Sequence, residues 1–217
     1  MHYCMLHNAE HVEQLVGAIM LKVKGEDVAD GRRLRSERSR RAIIEAALAL
    51  QEEGVLVPTA QQVSDKAGVG IRSVFRHFED MESLYASADE QIRDSYEALF
   101  LGGDREGSAE ERIERAVKRY AEAFESVSNI VQGTLVQLWR YEILRKNYAR
   151  NQRGLRKDLE KWLPEIAQKA RSDREAIHAT ISFDMWHRLR YHQGLSRQTA
   201  INILVRLLTL QLLNGEA

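Results

Sequence analysis

Apolar side chains recur every three or four positions along most of the chain, which is the spacing of one face of an α-helix. In the segment 39–52 these positions form a single stripe, made of Ile43, Ala46, Ala47 and Leu50. The same pattern predicts helices over 59–67, 71–78, 81–99, 108–124, 129–151, 172–193 and 196–213, and a short one after Asn8. Since no segment alternates as a strand would, the sequence predicts an all-α protein of about nine helices.

Helix ends are marked by capping residues. Three capping boxes are predicted, in which a hydroxyl and a side chain three positions later satisfy free backbone N–H groups. They are Thr59 with Gln62, Ser108 with Glu111, and Ser172 with Glu175. Glycines are typical of helix ends, and they follow the predicted helices at positions 54, 68 and 194.

Composition changes this picture in one place. The 217 residues are 44% hydrophobic and 29% charged, and 32 basic residues balance 32 acidic ones. The local sequence RRLRSERSRR, residues 32–41, nevertheless carries six arginines against Glu37, a local charge of +5. A basic segment of this kind indicates an electrostatic partner such as nucleic acid.

Several classes of protein are disfavoured. The single cysteine, Cys4, allows no intrachain disulfide and favours a reducing compartment. No secretory signal or apolar run of about 20 residues stands out, so we expect a cytoplasmic protein without a membrane span. Glycine-rich phosphate loops, GxSxG and HExxH are missing from the sequence, so we expect neither catalysis nor a cofactor. His2, Cys4 and His7 are weak ligand candidates, and we predict no metal site.

Two short helices joined by a glycine turn, between longer helices, form the pattern of a helix-turn-helix. Gly68 permits the bend and Val69 fills the angle between the helices. Val74 and Phe78 are expected to anchor the second helix. The positions left exposed are Ile71, Arg72, Ser73, Arg76 and His77. Side chains on such a helix enter the major groove of DNA, where arginine binds guanine edges or phosphates.

The segment TAQQVSDKAGVGIRSVFRHFEDMESLY, with the alanine-rich AIIEAALAL before it, resembles the DNA-binding part of the TetR family of bacterial transcriptional repressors. The resemblance covers about 50 residues. It implies DNA contacts by Thr59, Gly70, Ile71, Arg72, Ser73, Phe75, Arg76 and His77. The basic segment 32–41, called the basic arm below, contains Arg32, Arg33 and Arg35. We predict that these three arginines follow the DNA backbone or reach into a minor groove.

The segment departs from the family pattern at three positions. Gly70 stands where the family often has serine, Phe75 where tyrosine is usual, and Met81 where lysine is usual. Each change removes a contact to a phosphate or a positive charge. We therefore expect the basic arm to replace part of this electrostatic attraction.

The last predicted helix is apolar nearly all round, so it needs cover on two sides. A second copy of the chain is the simplest cover, and the resemblance implies the same four-helix interface across a twofold axis. We predict that this interface contains Ile201, Leu204, Val205, Leu208 and Leu212. The alternative is a monomer that buries this helix internally.

Large aromatic residues are concentrated in the C-terminal half. The resemblance implies that the helices there enclose an effector cavity for a small apolar or aromatic molecule. Its predicted lining is Tyr120, Phe124, Leu135, Trp139, Phe183 and Trp186. The alternative is that these aromatic side chains are only core, and Asp184 is either a pocket acid or an exposed residue.

We therefore predict four segments: an extension, partly helical or flexible, at 1–31; a helix-turn-helix DNA-binding domain at 32–80; a connecting helix and linker at 81–107; and an effector-binding and dimerisation domain at 108–217. The predicted function is a homodimeric repressor that binds a palindromic operator and is released by an effector. One alternative is a DNA-organising or protein-interaction factor of the same fold without an effector. Another is a lipid-handling helical protein that uses its last helix as an apolar surface.

Overall fold

The computed structural model describes residues 31–213, and their side chains from residue 33 onward. The helix predicted after Asn8 and the trio His2, Cys4 and His7 lie outside these residues. The described part is all-α, without a strand, and has ten α-helices. They are α1 Gly31–Glu52, α2 Ala60–Ala67, α3 Ile71–His77, α4 Met81–Phe100, α5 Ala109–Ser126, α6 Ser128–Leu135, α7 Glu142–Trp162, α8 Arg171–Thr180, α9 Phe183–His187 and α10 Arg197–Leu213. A 3-10 helix at Pro164–Gln168 follows α7, and a π-helical turn at Arg188–His192 follows α9.

The described chain divides into two compact units. The first unit comprises residues 31–95 and 129–148, and the second comprises residues 96–128 and 149–213. Helices α4 and α7 therefore contribute residues to both units. The functional division predicted from the sequence, with boundaries at 31, 80 and 107, stays a prediction.

The first unit has a core in which α1 packs against α2 and α3. Its buried side chains come from the predicted apolar stripes, and they include Ile43, Ala47, Val63, Val74, Phe78 and Leu84. Burying branched and aromatic side chains of this size stabilises a fold by about 1.5–3 kcal/mol each. The short helices α2 and α3 are therefore held by tertiary packing more than by their own propensity.

The basic arm is helical rather than extended. Helix α1 begins at Gly31, eight residues before the predicted start at Ser39, and the side chains from Arg33 to Arg38 are exposed. Arginine favours helices and no proline interrupts this segment. Arg33 also forms a 3.0 Å ion pair with Glu37, which lies one helical turn later in α1.

The second unit is built around α5 and α10, which pack against each other. Phe100, Tyr120, Phe124 and Phe183 form a chain of tilted and edge-to-face ring contacts with centroids 5.3–5.8 Å apart. The capping box of Ser108 and Glu111 begins α5 as predicted. The four aromatic rings therefore form a well-packed core.

The prediction of a single helix over 129–151 is wrong. The chain leaves α6 at Leu135, turns through residues 136–140 and begins α7 at Glu142. The Gln137 side chain donates to the Gly133 carbonyl at 2.8 Å, which supports this turn. Helix α7 then continues through Gly154 to Trp162, beyond the predicted helix end at residue 151.

The single helix predicted over 172–193 is also divided. Helix α8 ends at Thr180, and Ser182 begins α9 by accepting a hydrogen bond from the Met185 amide at 3.2 Å. The predicted capping box at Ser172 is wrong, because α8 begins one residue earlier, with Ala170 as its cap. The Glu175 carboxylate is instead paired with the Arg156 guanidinium.

Within residues 31–213, no helix combines the length and the apolarity that a bilayer crossing requires.

Candidate nucleic-acid interface

The turn between α2 and α3 is fixed by hydrogen bonds within the first unit. Gly68 has φ +65°, a left-handed conformation that a side chain would strain. The Val69 amide donates to the Ser64 carbonyl at 3.1 Å, and the Ser64 hydroxyl donates to the Val69 carbonyl at 2.8 Å. These paired bonds set the angle at which α3 leaves α2.

The start of α2 is fixed as firmly. Thr59 and Gln62 form the predicted capping box, with a 3.2 Å bond from the Gln62 amide to the Thr59 hydroxyl and a 2.9 Å bond from the Thr59 amide to the Gln62 side chain. The buried Tyr85 hydroxyl donates to the Pro58 carbonyl at 3.1 Å. Burial raises the pKa of Tyr85 to about 12, so its hydroxyl stays a donor at neutral pH.

Helix α3 has one buried and one exposed face. Val74 and Phe78, 1% and 3% exposed, anchor the helix in the core. The opposite face presents Ile71, Arg72, Phe75 and Arg76. Phe75 is half exposed, at 50%. An exposed face with two arginines and two apolar side chains on a rigid helix has the groups that bind base edges and thymine methyls.

Ser73 and His77 lie at the border of this face and are half-buried. The Arg76 guanidinium donates to the Ser73 hydroxyl at 3.2 Å, which holds the two side chains together. Burial, reinforced by Arg76 and Arg40, lowers the pKa of His77 below its ordinary value. His77 is therefore neutral at pH 7, and the positive charge of α3 comes from its arginines.

The basic arm is anchored at its C-terminal end. The Arg40 guanidinium lies 5.0 Å from the Phe78 ring centroid and donates to the Ser87 hydroxyl at 2.9 Å. Arg33 and Arg35 are exposed nearer the N-terminal end of α1. Gly70 caps α3 without a side-chain hydrogen bond.

Ser64 and Tyr85 position this face, and the sequence reasoning did not give either residue that role. Ser64 is a polar residue on the buried side of a short helix, where a hydroxyl requires a partner. That position was a usable signal. The partner of the Tyr85 hydroxyl lies 27 residues away and no local pattern indicates it.

The predicted effector residues fall in both units. Leu135 and Trp139 belong to the first unit, where Trp139 is 80% exposed. The other four belong to the second unit and are almost completely buried: Tyr120, Phe124, Phe183 and Trp186. Phe124 and Phe183 pack directly against each other.

The second unit contains a cavity of about 520 Å³ between α7, α8 and α9. It shares only Tyr120 with the predicted lining. The other lining residues are Gln152, Leu155, Arg156, Leu159, Glu175, His178, Ala179, Ile181, Ser182, Asp184, Met185 and Arg188. The hydrogen bond from Arg156 lowers the pKa of Glu175, and burial lowers the pKa of His178. The cavity therefore combines apolar walls with a fixed ion pair.

The predicted interface residues lie mostly inside the chain. Ile201, Leu204, Leu208 and Leu212 are buried on the face of α10 that packs against α5 and α8. Val205 is half-buried. The outward apolar side chains of α10 are Ile203, Leu207 and Leu210, of which Leu210 is 45% exposed.

Solved structures of similar fold are transcriptional regulators. A protein from Rhodococcus sp. assigned to the TetR family matches with TM-score 0.59 and 20% identity, over 80% of this chain and 98% of that one. A transcriptional regulator from Rhodococcus sp. Rha1 matches with TM-score 0.58 and 17% identity, over 80% of this chain and 95% of that one. A transcriptional regulator from Streptomyces coelicolor A3(2) matches with TM-score 0.54 and 22% identity, over 79% of this chain and 99% of that one.

No protein-family model and no curated protein matches the chain. At these identities the structural likeness establishes the fold alone. The described residues are all-α, with a helix-turn-helix in the first unit and further helices in the second, as the sequence predicts. The chain thus has the fold of TetR-like transcriptional regulators.

Proposed function

We propose that the protein is a TetR-family transcriptional repressor that binds a palindromic operator as a homodimer and is released by a small molecule. The observation that carries this proposal is the exposed face of α3, held by the Ser64–Val69 bonds and displaying Arg72 and Arg76. A rigid helix that places several side chains at fixed positions reads base edges at little cost in entropy.

Each part of the interface has a distinct role in this proposal. Arg72 and Arg76 bind bases, and Ile71 and Phe75 contact thymine methyls. Thr59, Ser73 and the amides that follow Gly70 contact phosphates. His77 lies at the edge of the face as a neutral hydrogen-bonding group. Arg32, Arg33 and Arg35, on the helical arm, add sequence-independent attraction.

A second copy of the chain is proposed to cover the outward side of α10. Ile203, Leu207 and Leu210 lie about one helical turn apart there. Two copies related by a twofold axis present two α3 helices to half-sites about one DNA turn apart. The palindromic operator follows from that symmetry.

The cavity of about 520 Å³ is the proposed effector site. It is polar on one side, where Arg156 and Glu175 are paired, and apolar where Leu159 and Ile181 line it. An effector that binds better to the DNA-free conformation weakens operator binding by the same factor by which DNA weakens effector binding. No catalytic step, cofactor or metal enters this mechanism.

The test is a genomic DNA pull-down at near-physiological salt, comparing wild type with the double variant Arg72→Ala/Arg76→Ala. We expect a short enriched palindrome with wild type, and loss of about 1–3 kcal/mol of binding free energy for each base-reading arginine removed. The matched control, Arg171→Ala/Arg197→Ala, removes two exposed arginines of the second unit and leaves the palindrome enriched.

Uniform enrichment that disappears with added salt would contradict the proposal. It would mean that the arginines supply only attraction to the backbone, which favours the DNA-organising alternative. Sedimentation of the same samples tests the dimer independently, since a monomeric mass at working concentration excludes the twofold arrangement. A substitution on the outward face of α10, Leu210→Glu, is expected to give that monomer.

A further inference from the structure

A second cavity, of about 280 Å³, lies in the second unit where the end of α4 faces the middle of α7. We propose that this cleft binds a small organic acid, with a single ring or a short chain bearing a carboxylate. The proposal goes beyond the effector site, because the cleft has a different lining and shares only Leu155 with the larger cavity.

The charge of the cleft selects an anion. Arg153 and Lys157 are exposed on α7, and they form no ion pair or hydrogen bond with any other residue in the range 31–213. Arginine and lysine are the side chains that bind carboxylates by charge-assisted hydrogen bonds. Arg150 adds a third cation to the lining.

The acidic residues of the cleft do not cancel this charge. Asp158 is buried, and its carboxylate already accepts a 2.7 Å bond from Arg105 and a 3.2 Å bond from the Tyr120 hydroxyl. The lining has one other acid, Glu97, and three cations, Arg150, Arg153 and Lys157. The lining therefore keeps an excess of positive charge.

Gly154 lies in α7 between the cations, and the fold gives no reason for a glycine there. Its φ is not in the left-handed region, and a Cβ at this position would meet no atom within 4 Å. A glycine inside a helix costs about 0.5–1 kcal/mol relative to alanine. Gly154 lines the cleft, so the missing side chain leaves the backbone there open to a ligand.

The opposite wall is apolar. Tyr96 and Phe100 lie with ring centroids 5.4 Å apart, and Phe100 is fixed from behind by the rings of Tyr120 and Phe124. An aromatic wall facing two cations suits a molecule with an apolar body and a carboxylate. The volume lies just below the range of about 300–1,000 Å³ for drug-sized ligands, which favours a small acid.

The test uses calorimetric titration of the full chain with benzoate and with hexanoate. Benzyl alcohol and hexan-1-ol serve as neutral probes of nearly the same shape. We expect saturable binding of at least one acid and none of its matching alcohol. No saturable binding of either acid up to millimolar concentration, or equal binding of acid and alcohol, would overturn the proposal.

Variants locate the site. Arg153→Gln and Lys157→Gln are each expected to weaken acid binding about tenfold, the loss typical of one charge-assisted hydrogen bond. Gly154→Leu keeps every charge, favours the helix and fills the cleft, so it should abolish binding in a protein with wild-type circular dichroism. Lys161→Gln removes a cation one turn further along α7, outside the lining, and should change affinity less than twofold.

Wild-type affinity in the Gly154→Leu variant, or an equal loss in Lys161→Gln, would place the binding elsewhere. These measurements contain no DNA. A failure of the operator proposal therefore leaves them interpretable, and a failure of acid binding leaves the operator proposal intact.

Discussion

The exposed face of α3 and the aromatic core of the second unit use similar residues in opposite ways. On α3, Phe75 is half exposed and shares the outward face of a short helix with Arg72 and Arg76. In the second unit, Phe124 is 1% exposed and contacts three other rings. An aromatic residue near a proposed site therefore indicates a function only once its burial is known.

The two regions also differ in the interactions that position their side chains. The α3 face depends on turn and capping hydrogen bonds between residues close in sequence, such as Ser64 with Val69. The second unit depends on packing between residues far apart, such as Phe124 with Phe183. Substitutions on the exposed face of α3 should therefore affect DNA binding, and those in the aromatic core of the second unit should affect stability.

The largest difference is expected for two phenylalanine substitutions. Phe124→Ala should lower the free energy of unfolding by about 3–5 kcal/mol, because it leaves a cavity among packed rings. Phe75→Ala should change stability by less than about 0.5 kcal/mol while weakening DNA binding. Urea unfolding and a DNA titration of both variants measure the contrast. Equal destabilisation by the two substitutions would contradict the expected contrast between the two regions.

A smaller effect is expected at the two matched capping boxes. Thr59→Ala and Ser108→Ala each remove a helix cap, and each should cost about 0.5–2 kcal/mol of stability. Only Thr59→Ala should also weaken DNA binding, since Thr59 is a proposed phosphate contact and Ser108 lies in the second unit. If Ser108→Ala weakened DNA binding as much at the same residual stability, the loss would come from folding and not from a contact.

The smallest effect is a pH dependence in the second unit. Burial, with Arg156 nearby, holds the pKa of His178 below its ordinary value of 6.5, although Glu160 and Glu175 oppose the shift. Between the lowered native pKa and 6.5, the unfolded chain carries a proton that the native chain lacks, so stability falls as pH decreases through this window.

His178→Gln should therefore flatten the fall in unfolding free energy between pH 7 and pH 5. The Glu160 carboxylate lies 3.4 Å from the His178 Nε2 atom, and it favours the charged imidazole. Glu160→Gln should consequently steepen the same fall. Urea denaturation at three pH values measures both variants, and an unchanged slope in His178→Gln would refute this role.

The fold class and the helix-turn-helix could be predicted from the sequence because their signals are local. The capping boxes at Thr59 and Ser108 and the left-handed Gly68 all lie where periodicity placed them. Each of these features is decided by residues within about one turn of helix. The segment that most resembles the TetR family is also the one with the densest local signals.

The helix breaks could not be predicted, because tertiary contacts decide them. Residues 136–140 contain neither glycine nor proline, yet the chain turns there. Gly133 lies so close to the Leu56 carbonyl that a Cβ would approach it to 2.8 Å, a contact across 77 residues. Ser182 lies inside the single helix predicted over 172–193, but it caps a new helix.

The candidate effector residues show the same limit. Aromatic residues at helical spacing indicate burial, and they do not indicate which buried residues border a cavity. Tyr120 does border the larger cavity. The charged lining residues, such as Arg156 and Glu175, come from different helices and no local pattern connects them.

The contrasting exposure of the tryptophans gives the protein two built-in optical reporters. The sequence has three tryptophans. Trp139, in the first unit, is 80% exposed, whereas Trp162 and Trp186, in the second unit, are each 1% exposed. Iodide should therefore quench the red-shifted emission of Trp139 and leave the blue-shifted emission of the other two. Trp162 lies 5.1 Å from the Arg105 guanidinium that holds Asp158, so its emission would report on the wall of the small cleft without any added label.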